Sequence, residues 1–370
     1  MDGRTVLGPG FAMEFLPAEF PRSRRSTHHA ANRRPPGPVR CGHILAAVVR
    51  PIDHGRIGPG EAGRMRAIAF YEFGEPDVLR VVDIDVPEPT GAQVRIAVRA
   101  AGVNPADWKI RSGALVFGEP SFPQFPGAEV AGVVDAVGPD ATGVAVGDEV
   151  IGWTGGGYAE YALSAEVAPK PAGLAWVDAA ALPVAVSTAA KVLDSLRPQA
   201  GETLLVNGAS GAVGSMAVQL ARVEGVTVIG TAGSANQDLV RALGATPTPY
   251  GDGLVERVRA LAPHGVDAVF DAAGHGVLPA AIELRGGTDR IVTIADGAAA
   301  ELGIVFSAGP GPRSAALLGA IAERVARGEF RLPGSARVFP LVEAAAAQRE
   351  MEHGRGPGKV VLTVESGGRH

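Results

Sequence analysis

The sequence predicts an α/β protein made of a β-rich, partly closed barrel and a doubly wound parallel sheet. Short strand-like segments separated by turn residues fill residues 65–165, and strand-like segments alternate with helical ones after Pro183. A last strand-like segment follows the final helix. The predicted boundaries are 1–64 for an N-terminal tail, 65–186 for the first part of the barrel domain, 187–327 for the parallel-sheet domain and 328–370 for a return to the barrel domain.

The first 64 residues differ in composition from the rest of the chain. They contain ten Arg and no Lys, are rich in Pro and Gly, and show no sustained hydrophobic period. Such a segment buries too little apolar surface to offset its ordering entropy. A flexible tail, a targeting peptide and upstream sequence translated from a misassigned start all fit. We favour the misassigned start, because a strand-like segment begins directly at Met65.

Composition and charge exclude several classes of protein. Hydrophobic residues make up 46% of the chain and charged residues 20%, and the net charge of −5 argues against a nucleic-acid partner. No uninterrupted apolar run reaches the roughly 18 to 20 residues of a membrane helix, so we expect no membrane partner. Cys41 is the only cysteine, which excludes an intrachain disulfide and a zinc site with several thiolates. We expect a cytoplasmic protein.

Six segments of the barrel domain read as strands. Alternation is clearest in Gln93–Ala100, where Val94, Ile96 and Val98 share one face and polar residues occupy the other. The remaining segments are Arg66–Tyr71, Leu79–Ile84, Ala128–Val137, Glu149–Trp153 and Ala159–Leu163.

The second domain alternates strands with helices, which indicates βαβ units in a parallel sheet with helices on both faces. Its predicted strands are Thr203–Asn207, Val226–Thr231, Ala268–Asp271 and Arg290–Ile294. Its predicted helices are Ala212–Arg222, Gln237–Leu243 and Leu254–Leu261, followed by helices near Arg313–Arg327 and Leu341–Glu350. The final strand, Lys359–Val364, is expected to return to the barrel domain and make it discontinuous.

A glycine-rich turn joins the first strand of the second domain to its first helix. Its residues are Gly208, Ala209, Ser210, Gly211, Ala212, Val213 and Gly214. In this pattern Gly211 permits close approach of a pyrophosphate, and Gly214 permits close packing of the helix on the strand. The helix N-terminus offers unpaired N–H groups to the anion. The strand, turn and helix context favours a dinucleotide site over an ordinary tight connection.

The end of the second strand indicates which dinucleotide is bound. A site specific for NAD usually has an acid there, which holds the ribose 2′-hydroxyl. Here the segment from Val228 through Gly233 and Ser234 to Asn236 contains no acid. An acid would repel a 2′-phosphate, whereas small hydroxyl and amide groups do not, so the sequence favours NADPH.

The chain resembles the medium-chain dehydrogenase/reductase superfamily, specifically its quinone oxidoreductase branch, from Met65 to about Val364. The matching motifs, in the family's order, are Ala101-Gly102-Val103-Asn104-Pro105-Ala106-Asp107-Trp108, Pro126-Gly127-Ala128-Glu129-Val130-Ala131-Gly132, the glycine-rich turn, Leu243-Gly244-Ala245 and Gly358-Lys359-Val360-Val361-Leu362. The resemblance implies a GroES-like barrel domain, a Rossmann-like domain, a homodimer, and hydride transfer from NADPH to a quinone or another α,β-unsaturated carbonyl compound.

The resemblance also implies a site without zinc. Alcohol dehydrogenases of this superfamily bind catalytic zinc through a Cys and a Gly-His-Glu motif. This sequence has Asn104 near the place of the Cys and Ala128 at the place of the His. Without soft or imidazole ligands a stable zinc site is not expected. Alcohol oxidation needs help with the substrate's proton, whereas a quinone or enone accepts hydride directly because the charge delocalises onto its oxygen.

Several site residues carry over from the family by position. Asn104 and Asp107 match residues that line the cleft beside the nicotinamide, and Thr188 matches a threonine that contacts the cofactor. Gly233 and Tyr250 match positions near the adenosine 2′-phosphate, where Gln237 replaces a lysine that the family often has. The enoyl-reducing branch uses a Tyr after the Asn-Pro motif as proton donor. Residues 106–121 contain no Tyr, so the proton is expected from water or a cofactor hydroxyl.

Structural alternatives exist for each of these residues. Asn104 is also a typical helix cap before Pro105, and Asp107 is favoured in any first helical turn. Glu129, in an apolar strand, is either paired or a cleft residue. Thr188 also fits an ordinary helix position, and Tyr250 a packed aromatic position. His264, His275 and His353 lack ligand spacing and are expected to be solvated.

Three alternative functions remain open from the sequence. A non-catalytic NADPH-binding sensor or scaffold would retain the same cofactor residues. A zinc-free enoyl reductase and a zinc enzyme with unusual ligands are the others.

Overall fold

The computed structural model describes residues 63–353 and 356–365. Predictions about residues 1–62, and about Cys41, lie outside the described residues. The strands are β1 Arg64–Ala69, β2 Arg80–Asp85, β3 Val94–Val103, β4 Glu129–Val137, β5 Glu149–Trp153, β6 Tyr161–Ser164, β7 Val167–Pro169, β8 Thr203–Asn207, β9 Thr227–Thr231, β10 Thr246–Thr248, β11 Ala268–Asp271, β12 Ile291–Thr293, β13 Val305–Phe306, β14 Arg337–Pro340 and β15 Val360–Thr363.

The helices alternate with the strands mainly in the second half of the chain. They are α1 Pro105–Arg111, α2 Trp176–Ala179, α3 Pro183–Leu196, α4 Ala212–Val223, α5 Gln237–Ala242, α6 Leu254–Leu261, α7 Leu278–Arg285, α8 Ala315–Ala326 and α9 Ala344–His353.

The β-rich part has a seven-stranded sheet in the order β14-β15-β3-β4-β5-β7, with β6 also paired to β3, and a separate two-stranded sheet of β1 and β2. The predicted alternation in β3 is confirmed, because Val94, Ile96 and Val98 are buried while Arg95 is half-buried. From Ala100 to Val103 every residue is buried, so this end of β3 is covered on both faces.

The second large sheet has six parallel strands in the order β10-β9-β8-β11-β12-β13. This order reverses between β8 and β11, as in a doubly wound fold, and so creates a crevice at the carboxyl ends of those two strands. The predicted fold class is therefore confirmed. Strands β10 and β13 were missed because they span three and two residues, too few to show a period.

The last strand joins the first sheet. Strand β15 pairs antiparallel with β3, with Val360 opposite Val103, and β14 lies parallel to β15 on its other side. Val360, Val361 and Leu362 are fully buried. The chain thus passes through the parallel sheet before supplying a neighbour for a strand made much earlier. The predicted domain boundaries themselves stay predictions.

One apolar stretch, Trp176–Leu196, is long and apolar enough to cross a membrane by length and composition alone. Its most apolar window is 56% buried inside the protein, and core helices of soluble proteins meet the same criteria. Helix α3 in this stretch packs with α4 in the largest hydrophobic core. The expectation of no membrane partner stays a prediction.

Strand β15 is buried whereas β14 is partly exposed, so we expect substitutions in the two strands to lower the free energy of unfolding by different amounts. We expect Leu362→Ala to lower the free energy of unfolding by about 2–5 kcal/mol, because the change leaves a cavity at a fully buried position. Val338→Ala in β14, where the side chain is 48% exposed, should lower it by less than about 1 kcal/mol. Urea denaturation of the two variants measures this, and equal losses would contradict the observed packing.

Candidate active site

The glycine-rich turn is held tightly between β8 and α4. Gly208 has a φ of 83°, in the left-handed region that favours glycine, and Gly211 is the N-cap of α4. A Cβ on Gly214 would lie 2.2 Å from the carbonyl oxygen of Gly208, so only glycine permits this approach of helix to turn. The turn therefore has the geometry that a pyrophosphate at the N-terminus of α4 requires.

The remaining turn residues lie as a dinucleotide site needs them. Ala209 is fully buried, Ser210 is half-buried, and Ala212 and Val213 form the first turn of α4, whose N–H groups have no partner within the helix. Met216 and Ala217, in the next turn of α4, are buried.

A buried polar network, which the sequence analysis missed, joins the carboxyl ends of four parallel strands. Asn207 donates from Nδ2 to Oδ1 of Asp271 at 2.8 Å, and Thr231 donates to Oδ1 of Asn207 at 2.6 Å. Thr293 donates to Oδ2 of Asp271 at 2.7 Å, and the N–H of Gly208 donates to Thr231 Oγ1 at 3.0 Å. The network fixes the turn to the sheet. Its sequence signal is that each of these strands ends on a polar residue.

The residues predicted for the adenosine end lie together. A Cβ on Gly233 would be 3.4 Å from the hydroxyl of Tyr250, and the Tyr250 side chain is 64% exposed rather than packed in the core. Ser234 is exposed beside them. Gln237 donates from Nε2 to the carbonyl of Ala232 at 2.6 Å, so its amide supports the strand end.

Asn104 lies in a second buried cluster, between two oppositely charged side chains. Lys359 places its Nζ 2.6 Å from Asn104 Oδ1 and 2.6 Å from Glu129 Oε1. Asn104 donates from Nδ2 to the same Glu129 oxygen at 2.8 Å. The exposed fractions are 5% for Asn104, 0% for Glu129 and 6% for Lys359. Both polar atoms of the Asn104 side chain are therefore occupied, and Glu129 is paired rather than free.

Asp107 completes this cluster from the first turn of α1. Its Oδ2 accepts hydrogen bonds from the backbone N–H of Asn104 and from the hydroxyl of Tyr158, both at 2.8 Å. Burial raises the pKa of Asp107 to about 6, against the lowering effect of these two hydrogen bonds. Burial, with the Asp107 charge next, also raises the pKa of Tyr158 well above its usual range. Asp107 thus caps α1 and sets the backbone of Asn104.

Helix α3 connects the Asn104 cluster to the glycine-rich turn, because α3 contacts Glu129 and packs on α4, the helix after the turn. Glu129 Oε2 accepts a hydrogen bond of 2.7 Å from the backbone N–H of Val184, in the first turn of α3. Thr188 lies one turn later and is half-buried. A narrow cleft is lined by Leu182, the residue before α3, by Ala185 of α3, by Ala212 and Ser215 of α4, and by Arg331 and Lys359.

Asn104 and Asp107, which the sequence predicted to line the cleft, lie together in this buried cluster, and their role beside the nicotinamide stays a prediction. Lys359 and Tyr158 were not predicted, and Glu129 was left undecided between a paired and a cleft position. The sequence did contain a sign that Lys359 is paired. It directly precedes the apolar run Val360–Leu362, and a lysine next to a buried strand needs a partner for its charge. The three histidines are exposed, as expected.

The donor atoms of the cluster do not fit a metal ion. Where a zinc site would need thiolate or imidazole groups, the cluster has a carboxamide, the carboxylates of Glu129 and Asp107, and an ammonium group that repels a cation. Across residues 63–353 and 356–365 no group of three His, Cys, Asp or Glu side chains is placed to hold a metal.

Two family models match the chain. Residues 90–172 match the alcohol dehydrogenase GroES-like domain, and residues 212–320 match a family described as zinc-binding dehydrogenase. These two ranges correspond to the β-rich part and to the parallel sheet with its glycine-rich turn.

Full-length similarity extends to known oxidoreductases. Mouse quinone oxidoreductase is 35% identical over 327 residues, which cover 81% of this chain and 98% of that protein. The structure of a quinone oxidoreductase from Coxiella burnetii matches with a TM-score of 0.71 and 31% identity, over 82% of this chain and all of the other. A mycobacterial protein complexed with NADPH matches with a TM-score of 0.69 and 28% identity, over 81% of this chain and 99% of the other.

The raised pKa of Asp107 predicts a pH-dependent stability. The pKa of Asp107 in the folded protein is about 6, above the ordinary value of 3.8. The stabilisation that the protonated carboxyl contributes is therefore complete below pH 4 and is lost as pH rises through 6. We expect the free energy of unfolding of Asp107→Asn, relative to the wild type, to increase by roughly 2–3 kcal/mol between pH 4 and 7.

Urea denaturation across this pH range measures the difference. Asp140→Asn, the same exchange at an exposed position, is the matched control and should follow the wild type. A stability difference for Asp107→Asn that stays constant from pH 4 to 7 would count against the assignment.

Proposed function

Since the chain belongs to the medium-chain dehydrogenase/reductase superfamily, in its quinone oxidoreductase branch, we propose that it transfers hydride from NADPH to a quinone or another α,β-unsaturated carbonyl compound without a bound metal. One observation carries the proposal. Asn104 and Ala128 stand where the family resemblance places the Cys and His ligands of zinc, and neither side chain is a thiolate or an imidazole.

The residues of the glycine-rich turn and of α3 fit a nicotinamide dinucleotide. Gly211, Ala212, Val213 and Gly214 would hold the pyrophosphate at the N-terminus of α4, and Thr188 would contact the cofactor from α3. The cofactor supplies the hydride when bound. The chain's own contribution is to orient the cofactor against the acceptor.

A preference for NADPH is supported by the end of β9. Gly233 and Ser234 follow this strand without an acid, and the hydroxyl of Tyr250 lies next to Gly233. A 2′-phosphate meets no fixed negative charge from these three residues and has hydroxyl groups within reach. The NADPH complex of the mycobacterial relative agrees with this choice.

A quinone or enone acceptor is supported by the similarity to quinone oxidoreductases. Such a carbonyl compound takes hydride directly, and the negative charge spreads onto its oxygen. The side chains of Asp107 and Tyr158 are buried and bonded to one another, so the proton is proposed to come from water or from a cofactor hydroxyl. A homodimer and a cytoplasmic location remain part of the proposal.

NADPH oxidation with a panel of quinones and enones, followed at 340 nm, tests the function. We expect turnover with at least one quinone. A sensor or scaffold would bind NADPH without oxidising it on any acceptor, and reduction restricted to enoyl thioesters would favour an enoyl reductase. Either outcome contradicts the proposed activity.

The cofactor preference is tested by a charge placed at the end of β9. We expect Ser234→Asp to raise the KM for NADPH about tenfold, because the carboxylate repels the 2′-phosphate by roughly 1–2 kcal/mol at this exposed position. The KM for NADH should change less than about twofold. Ser234→Asn is the isosteric control and should leave both values near the wild type. Equal effects of Ser234→Asp on both cofactors would argue that the 2′-phosphate lies elsewhere.

A further inference from the structure

We propose that Glu129 is a positioning residue that sets the acceptor side of the active site against the cofactor side, an inference that rests on the proposed function. One carboxylate holds groups from both sides. Oε1 accepts from Asn104 Nδ2 and Lys359 Nζ, whereas Oε2 accepts from the N–H of Val184 at the start of α3. Helix α3 carries Thr188 and packs on α4, whose N-terminus forms the phosphate-binding turn.

The position of the carboxylate is fixed by the space around it. A Cβ on Gly102 would lie 2.2 Å from Glu129 Oε1, 2.6 Å from Glu129 Cδ and 2.7 Å from the carbonyl oxygen of Ala180. Gly102 lies in β3, beside the strand that carries Glu129. The carboxylate therefore occupies a slot that exists because position 102 has no side chain.

The ion pair with Lys359 also holds the Glu129 carboxylate in place. Glu129 is fully buried, and a buried carboxylate requires a cation with good geometry. Lys359 supplies that cation at 2.6 Å and contacts Asn104 at the same distance. Glu129 can therefore neither rotate away nor exchange its partners for water.

Glu129 acts through its neighbours and not on the substrate. Its exposed fraction is 0%, whereas Lys359 lines the cleft. The carboxylate determines where α3 begins relative to the side chain of Asn104. Displacement of reacting groups by about 1 Å can cost roughly 100-fold in rate. A change in the contacts of Glu129 with Asn104 and α3 should therefore lower kcat and leave the Kd of the cofactor nearly unchanged.

Three substitutions separate position from charge. Glu129→Gln keeps the shape but presents an N–H donor either to Val184 N–H or to Lys359. Glu129→Asp keeps the charge but shortens the side chain, so it cannot reach both groups. Gly102→Ala keeps Glu129 and pushes its carboxylate out of the slot. Glu88→Gln is the matched control, the same exchange in an exposed ion pair with Arg95.

Each variant is assayed for kcat with a quinone, for the Kd of NADPH by fluorescence, and for the isotope effect with NADPH deuterated at the transferred hydrogen. We expect Glu129→Gln, Glu129→Asp and Gly102→Ala to lower kcat by about 10- to 100-fold and to increase the isotope effect on kcat. The Kd of NADPH should stay within about threefold of the wild type, and Glu88→Gln should be unchanged.

The outcomes distinguish a failure of the proposed function from a failure of the positioning role of Glu129 alone. A wild-type protein that reduces no quinone overturns the proposed function, and this inference with it. An active wild type with unchanged kcat in Glu129→Asp and Gly102→Ala overturns the positioning role alone, because charge balance would then be the whole role of Glu129. If Glu129→Gln fails to fold, Glu129→Asp, which retains the ion pair's charge, still decides the question.

Discussion

The buried pair of Lys359 and Glu129 is the interaction on which this active site depends. Each charge is nearly inaccessible to water, and neither is stable there without the other. Glu129 comes from the second strand of the pair β3–β4, whereas Lys359 directly precedes β15, the last strand. After the parallel sheet the chain returns to pair β15 with β3, and this return brings the ammonium group of Lys359 to the carboxylate of Glu129.

The pair also explains the surroundings of Asn104. Its amide is held by both charges, and its backbone N–H is held by Asp107, so this residue is fixed in position and orientation. Asn104 is thus oriented by two charged side chains of the chain itself. The similarity to quinone oxidoreductases agrees with the proposed acceptors, which take hydride without a Lewis acid.

The sequence predicted the parts of the molecule that depend on local pattern. The glycine-rich turn before α4 and the alternation in β3 each arise within about a dozen residues, and both are confirmed. The Asn104–Lys359 contact joins residues 255 positions apart, and no spacing rule reveals such a partner. The choice between a paired and a free Glu129 likewise needed the strand register. Strands of two or three residues carry too little pattern to be recognised.

We propose that this protein reduces its acceptor without a bound metal ion, because Asn104 and Ala128 stand where the family resemblance places zinc ligands. Elemental analysis of the purified protein, combined with quinone reduction before and after dialysis against a chelator, tests it most directly. We expect less than about one-tenth of an equivalent of zinc, and full activity after chelation. Stoichiometric zinc, with activity that is lost on chelation and restored by the metal, would contradict it.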